Sequence, residues 1–121
     1  MLAALRPLNL ALRFALELAA LFAMGRWGWA QGSGPWRFVL ALVVPAVAAT
    51  LWGVLRVPDD PGPAPVAVPG IVRLVLETAF FGFAVWSLYA TDAPEAALLF
   101  AVALAIHYAL DFARVRWLIH R

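Results

Sequence analysis

The chain has 121 residues, of which 65% are hydrophobic and 13% charged, with nine Arg and no Lys against seven acidic residues, a formal net charge of +2. Soluble domains carry about 25% charged residues, and so short a chain keeps a large share of its surface exposed. The composition therefore excludes an ordinary water-soluble globule and points to lipid as the solvent. Cysteine is absent, which excludes disulfides, thiolate metal sites and thiol nucleophiles.

A helix needs roughly 20 mostly apolar residues to cross the hydrocarbon of a bilayer. The first such segment runs from Leu8 to Gly25. Arg6 before it resembles the start of a signal peptide, but Arg13 and Glu17 interrupt the apolar run and no small-x-small cleavage site follows, so it reads as a retained helix. The stretch RWGWAQGSGPWR leads to a second segment, Trp36 to Leu55, in which Pro45 removes a backbone donor and is expected to kink the helix toward the polar interior near Thr50. A Pro-rich loop, residues 56–69, precedes the third segment, Gly70 to Tyr89, and TDAPE precedes the fourth, Pro94 to Val115. Turn formers cluster between these segments, and no ten-residue alternation of a β-barrel is visible. The expected fold is all-α: one domain, a four-transmembrane-helix bundle.

With four crossings both termini and the Pro-rich loop share a side, which holds Arg6, Arg56, Arg114, Arg116 and Arg121 against Arg26 and Arg37 opposite. The positive-inside rule makes that side cytoplasmic, so the basic excess reads as topology with some attraction to anionic lipid, and not as a nucleic-acid surface. Trp27, Trp29, Trp36, Trp86 and Tyr89 fall at the outer ends and Trp52 and Trp117 at the inner ends, the positions of an interfacial belt.

At a shift of 60 residues Arg13 aligns with Arg73, Glu17 with Glu77, Leu16 with Leu76 and Arg56 with Arg116. Two R-x-x-x-E matches among so few charges suggest a duplicated helical hairpin, giving two tandem hairpins as a parallel repeat; chance and similar topology are the alternative. Arg and Glu four apart share a helix face, and Asn9 extends the first stripe. His107, Asp111 and Arg114, with Tyr108 beside them, form a matching face on the fourth helix. Each charge at a membrane-helix centre costs about 2.5–3.5 kcal/mol on insertion scales, so these side chains should face one another. Rows of Ala at every fourth residue, Ala11 to Ala23 and Ala97 to Ala113, would let another helix, a second protomer or a partner membrane protein approach closely.

Ionisable groups inside membranes mark ion or substrate paths by default. The candidate ligand-binding or ion-path residues are Arg13, Glu17, Arg73, Glu77, His107 and Asp111, with Asn9, Thr50, Tyr108 and Arg114 secondary, and a His107–Asp111 proton relay is one use of them. The competing reading is a set of mutually satisfied ion pairs that fix helix rotation. No H-E-x-x-H, G-x-S-x-G or phosphate-cradling loop is present, so the chain reads as a non-enzyme; no cofactor is expected, and metal or haem ligation by His107 and His120 is the weaker reading.

The run LNLALRFALELAALFAMGRWGW, a Pro-containing second helix ending LWG and a third helix with RLVLE resemble the YrdB-like family of uncharacterised small bacterial membrane proteins. The resemblance implies a four-helix protein of the bacterial inner membrane with Arg13, Glu17, Arg73 and Glu77 at motif positions, and implies no activity. Function is thus expected to be binding or transport of a small solute, ion or proton, or alternatively a non-catalytic subunit or assembly factor of a larger membrane complex.

Overall fold

The computed structural model describes residues 2–58 and 64–120, with side chains from residue 7 onward; the Arg6 side chain and Arg121, both counted at the basic end, lie outside that description. The elements in chain order are α1 (Leu2–Gln31), α2 (Trp36–Val54), β1 (Leu55–Arg56), β2 (Val66–Ala67), α3 (Gly70–Ala90), α4 (Pro94–Leu110) and α5 (Phe112–Ile119). Among the described residues the architecture is all-helical apart from one two-residue parallel ladder. Three helical stretches are long and apolar enough to cross a membrane, Pro7–Gln31, Trp36–Val54 and Gly70–Ala90, and the bent pair α4–α5 makes a fourth if taken as one span.

Three expected boundaries move. α1 begins at Leu2 and not at Leu8. α1 does not stop at Gly25 but continues to Gln31, because its C-terminal glycines are contact points for α2. A Cβ on Gly28 would collide with the Leu40 carbonyl, and one on Gly25 would come within 3.1 Å of the Ala41 carbonyl oxygen. Pro45 cannot donate to that same carbonyl four residues back, so the oxygen freed by the proline faces the glycine on α1. α2 runs through Pro45 as one helix, with the ring turned toward Gly25 rather than toward the charged end of the bundle. The chain then reverses at Gly34, whose φ of 56° is left-handed backbone that glycine adopts without a steric penalty.

The fourth helix does not reach Val115. It ends at Leu110, and α5 departs at 72°, with Asp111 at the break. Asp is a poor residue for a helix interior, and here its carboxylate turns toward Arg13 and Arg114. α5 crosses to the start of α3, where Leu118 is fully buried and its carbonyl occupies the space a side chain at Gly70 would need. The Pro-rich loop is tied at its base by Leu55↔Val66 and Arg56↔Ala67 pairing and by Val68 N–H donating to Arg56 O at 2.9 Å.

The core is a seam of Leu16, Ala20, Ala23 and Met24 from α1, Trp52 from α2, Phe80, Phe81, Ala84 and Leu88 from α3, and Ala97 and Phe100 from α4. Trp52 stacks on Phe80 at 4.6 Å and Phe81 meets Phe80 edge-on at 5.2 Å. Large apolar side chains also cover the outside: Phe22 and Leu42 are each 73% exposed. Helix ends that lack partners for their last carbonyls receive arginines from neighbouring segments. Arg26 donates to Thr91 O at 2.9 Å, Arg37 to Trp29 O at 3.3 Å, and Arg73 to Trp52 O at 2.6 Å.

The two kinds of glycine should respond oppositely to a methyl group. Gly28→Ala is expected to lose about 1–3 kcal/mol through overpacking, whereas Gly53→Ala, with nothing within 4 Å, should gain up to about 1 kcal/mol from helix propensity. Unfolding of the purified variants in one mild detergent reads both signs.

Candidate functional site

The up-and-down course of the helices brings the first half of α1, the ends of α2 and α4, the start of α3 and all of α5 to one end of the bundle. Helical spacing then sets what each presents. Asn9, Arg13 and Glu17 form one stripe on α1, and Arg73 and Glu77 one turn of α3. Both R-x-x-x-E segments bring an Arg Nε near the Glu four residues on: Arg13 Nε donates to Glu17 Oε1 at 3.3 Å, whereas Arg73 Nε lies 3.5 Å from Glu77 Oε2 without a hydrogen bond.

Glu77, 1% exposed, is the hub. Its carboxylate accepts from Tyr108 Oη at 2.6 Å and from both terminal nitrogens of Arg114, at 3.2 and 2.9 Å. Arg13 Nη2 lies 3.2 Å from Oε1. Arginine's planar fork makes such bidentate pairs the stronger kind of ionic hydrogen bond. Four elements therefore meet at one buried carboxylate.

Arg13 is the second hub. Beyond Glu17 and Glu77 it approaches Asp111 Oδ2 at 3.8 Å, and its Nη1 lies 3.4 Å from His107 Nε2. On the other side of the ring, Nδ1 is 2.9 Å from Asn9 Oδ1. An imidazole that donates to an amide oxygen through Nδ1 and accepts from a guanidinium through Nε2 has the hydrogen-bond pattern of the neutral ring. His107 and Asp111, proposed from sequence as a relay, are 3.9 Å apart, and His107 sits in the last turn of α4, nearer the helix end than a helix to Val115 would put it.

The residues enclose a cavity of about 250 Å³ lined by Asn9, Leu10, Arg13, Phe14, Glu17, Arg56, Arg73, His107, Asp111 and Arg114. Glu77 and Tyr108 do not line it; Tyr108 donates to Glu77, and Glu77 holds Arg13, Arg73 and Arg114, which do. Asp111 Oδ2 is buried, near three cationic or imidazole nitrogens, yet accepts no hydrogen bond. Among the described residues no group of three or more His, Asp and Glu is placed to hold a metal ion.

Two expectations require correction. Thr50 is exposed and donates to the Ala46 carbonyl of its own helix at 2.8 Å, so it takes no part in the site: a hydroxyl on the outer face of α2 satisfies itself locally. Trp52 is not a belt residue. It is 8% exposed, lies under the Arg73 guanidinium at 3.8 Å and the Arg13 guanidinium at 5.1 Å, and donates from Nε1 to Glu17 Oε1 at 3.2 Å. Sequence reasoning also missed Arg56 as a cavity residue; its place beside the end of α2, at the charged end, was the available signal.

The buried hub predicts unequal mutants. Glu77→Gln leaves three arginines facing a neutral amide and should cost about 3–5 kcal/mol, as when one partner of a buried ion pair is removed. Glu17→Gln removes a charge that is 25% exposed and should cost at most about 1 kcal/mol. Denaturant unfolding of the two variants in detergent makes the comparison.

The sequence profile of a family described as a protein of unknown function (DUF2568) matches residues 11–105. That stretch contains Arg13, Glu17, Trp52, Arg56, Arg73 and Glu77 and ends before His107. The chain is 37% identical over 120 residues to the "Uncharacterized protein YrdB" of Bacillus subtilis (strain 168), an alignment covering 97% of this chain and 98% of that protein. No solved structure matches. Profile and relative together span nearly the whole chain, and the protein belongs to the DUF2568, or YrdB-like, family.

Proposed function

We propose that this is a multi-pass membrane protein that binds a small polar solute or ion in the charged cavity at one end of its bundle. The observation that carries the proposal is the cavity itself, about 250 Å³ with arginines and carboxylates in its wall and a buried Asp111 oxygen without a donor. Ion pairs that served only to fix helix rotation would close on one another, whereas these leave a half-open pocket with room for water or a small solute. Its volume is below the usual range of drug-sized pockets, so the occupant is small. Its chemistry is bounded by the wall: an acceptor or anionic group for Arg13 or Arg73, and a donor for Asp111.

In this reading the exposed apolar surface meets lipid, α4 makes the fourth crossing up to its bend at Asp111, and both termini lie with the cavity on the cytoplasmic side of a bacterial inner membrane. The R-x-x-x-E spacing common to α1 and α3 supports a duplicated hairpin. The role is binding or transport rather than catalysis: Ser87 donates to the Phe83 carbonyl at 2.7 Å, and Ser33 lies in the α1–α2 turn. A second reading, a subunit or assembly factor that meets a partner helix or a second copy, is favoured by Ala11, Ala15 and Ala19, which form an exposed row on α1. The α4 row supports it less, since Ala97 is already used in the core.

Thermal unfolding of the purified protein should be measured against a panel of amino acids, small carboxylates, inorganic anions and monovalent cations. A ligand at 100 times its dissociation constant stabilises by about 2.7 kcal/mol, and the shift should vanish in Asp111→Asn while Thr50→Ala keeps it. Absence of any shift, together with a stoichiometric partner on isolation in mild detergent, would favour the second reading. Topology is read separately by a reporter fused after Arg121, which should report from the cytoplasm.

A further inference from the structure

We infer that α5 is an in-plane interfacial helix that binds the phosphate of an anionic phospholipid through Arg116 and His120. The inference rests on the membrane-spanning reading of the bundle. If α4 crosses the bilayer, a 72° bend turns the next eight residues nearly parallel to the membrane surface. α5 is anchored there from within: Arg114 reaches Glu77 at 2.9 Å, and Leu118 is fully buried against Gly70. At 100° per residue, Arg116 points away from that anchored side, toward the headgroup region.

The outward face has a mixed character. Phe112 and Ile119 are 61% and 54% exposed, and Arg116 and His120 are exposed beside them. The Arg116 guanidinium lies 5.9 Å from the Phe112 ring. Together with Ala113 and Trp117, Arg116 and His120 line a shallow hollow of about 420 Å³, separate from the ion-paired cavity. Apolar side chains, an aromatic ring and basic groups on one short exposed face are what a helix lying at the headgroup level requires. None of the carboxylates placed around the bundle-side cavity, Glu17, Glu77 or Asp111, lines this hollow, so the chemistry it offers is a hydrogen-bonding cationic wall for a phosphate with an apolar floor for the acyl-glycerol edge.

Native mass spectrometry of the protein released from nanodiscs of phosphatidylcholine, alone or mixed with phosphatidylglycerol, tests this. Wild type should retain phosphatidylglycerol in preference to phosphatidylcholine by about fivefold per engaged basic residue. Arg116→Gln should cut that preference about fivefold, Arg116→Lys should restore most of it, and Arg37→Gln, at the opposite end, should keep it. Millimolar inorganic phosphate should not displace the lipid; displacement would mean a site for free phosphate and would overturn the lipid assignment. Equal retention of the two lipids by wild type, or unchanged preference in Arg116→Gln, would also overturn it. Extraction of wild type from cell membranes by alkaline carbonate, scored independently, would instead overturn the membrane-spanning reading.

Discussion

A carboxylate buried in an apolar bundle must be neutralised where it lies, and Glu77 is neutralised by groups from three other elements. Arg13 of α1, Tyr108 of α4 and Arg114 of α5 all reach it, while Arg73 approaches from its own helix. Unpaired, the charge would carry a desolvation penalty of several kcal/mol; paired in this way, it fixes the rotation of α1, α3 and α4 about their axes. Hydrophobic contact alone fixes rotation poorly in lipid, because a Leu is as well solvated by acyl chains as by another helix. The charged end therefore supplies the orientation, and the Gly25 and Gly28 contacts with α2 supply the close approach at the far end.

The arginines do two jobs that their charge alone does not suggest. Arg26, Arg37 and Arg73 each reach a carbonyl at the end of another helix or segment, which satisfies acceptors that have no intrahelical partner and complements the negative end of the helix dipole. Arg73 combines this with stacking on Trp52, so the end of α2, the start of α3 and the wall of the cavity are joined through a single side chain. Lysine could supply the charge but not the planar fork these contacts use.

What the sequence disclosed follows from what is local. Turn formers mark the helix breaks, and four-residue spacing guarantees that Arg13 can meet Glu17 and Arg73 can meet Glu77, because a helix imposes both. Asn9, Tyr108 and Arg114 were legible for the same reason. Contacts across helices depend on rotation and crossing, which periodicity does not give: that Glu77 and not Glu17 is the hub, that Trp52 turns inward between two guanidiniums, and that Thr50 turns outward. The break at Asp111 was hidden because no Gly or Pro stands near it, and the continuation of α1 past Gly25 by glycines that ordinarily mark a helix end. Those glycines are helical because α2 fills the space their missing side chains leave.

Glu77 and Arg114 act as one unit, and a double-mutant cycle between them measures that coupling directly. Glu77→Gln and Arg114→Gln should each destabilise the purified protein by about 3–5 kcal/mol, since each strands a buried partner, and the double variant should be no less stable than the worse single one. Losses that simply add, as they do for independent sites, would contradict the account and leave the fold to its apolar seam.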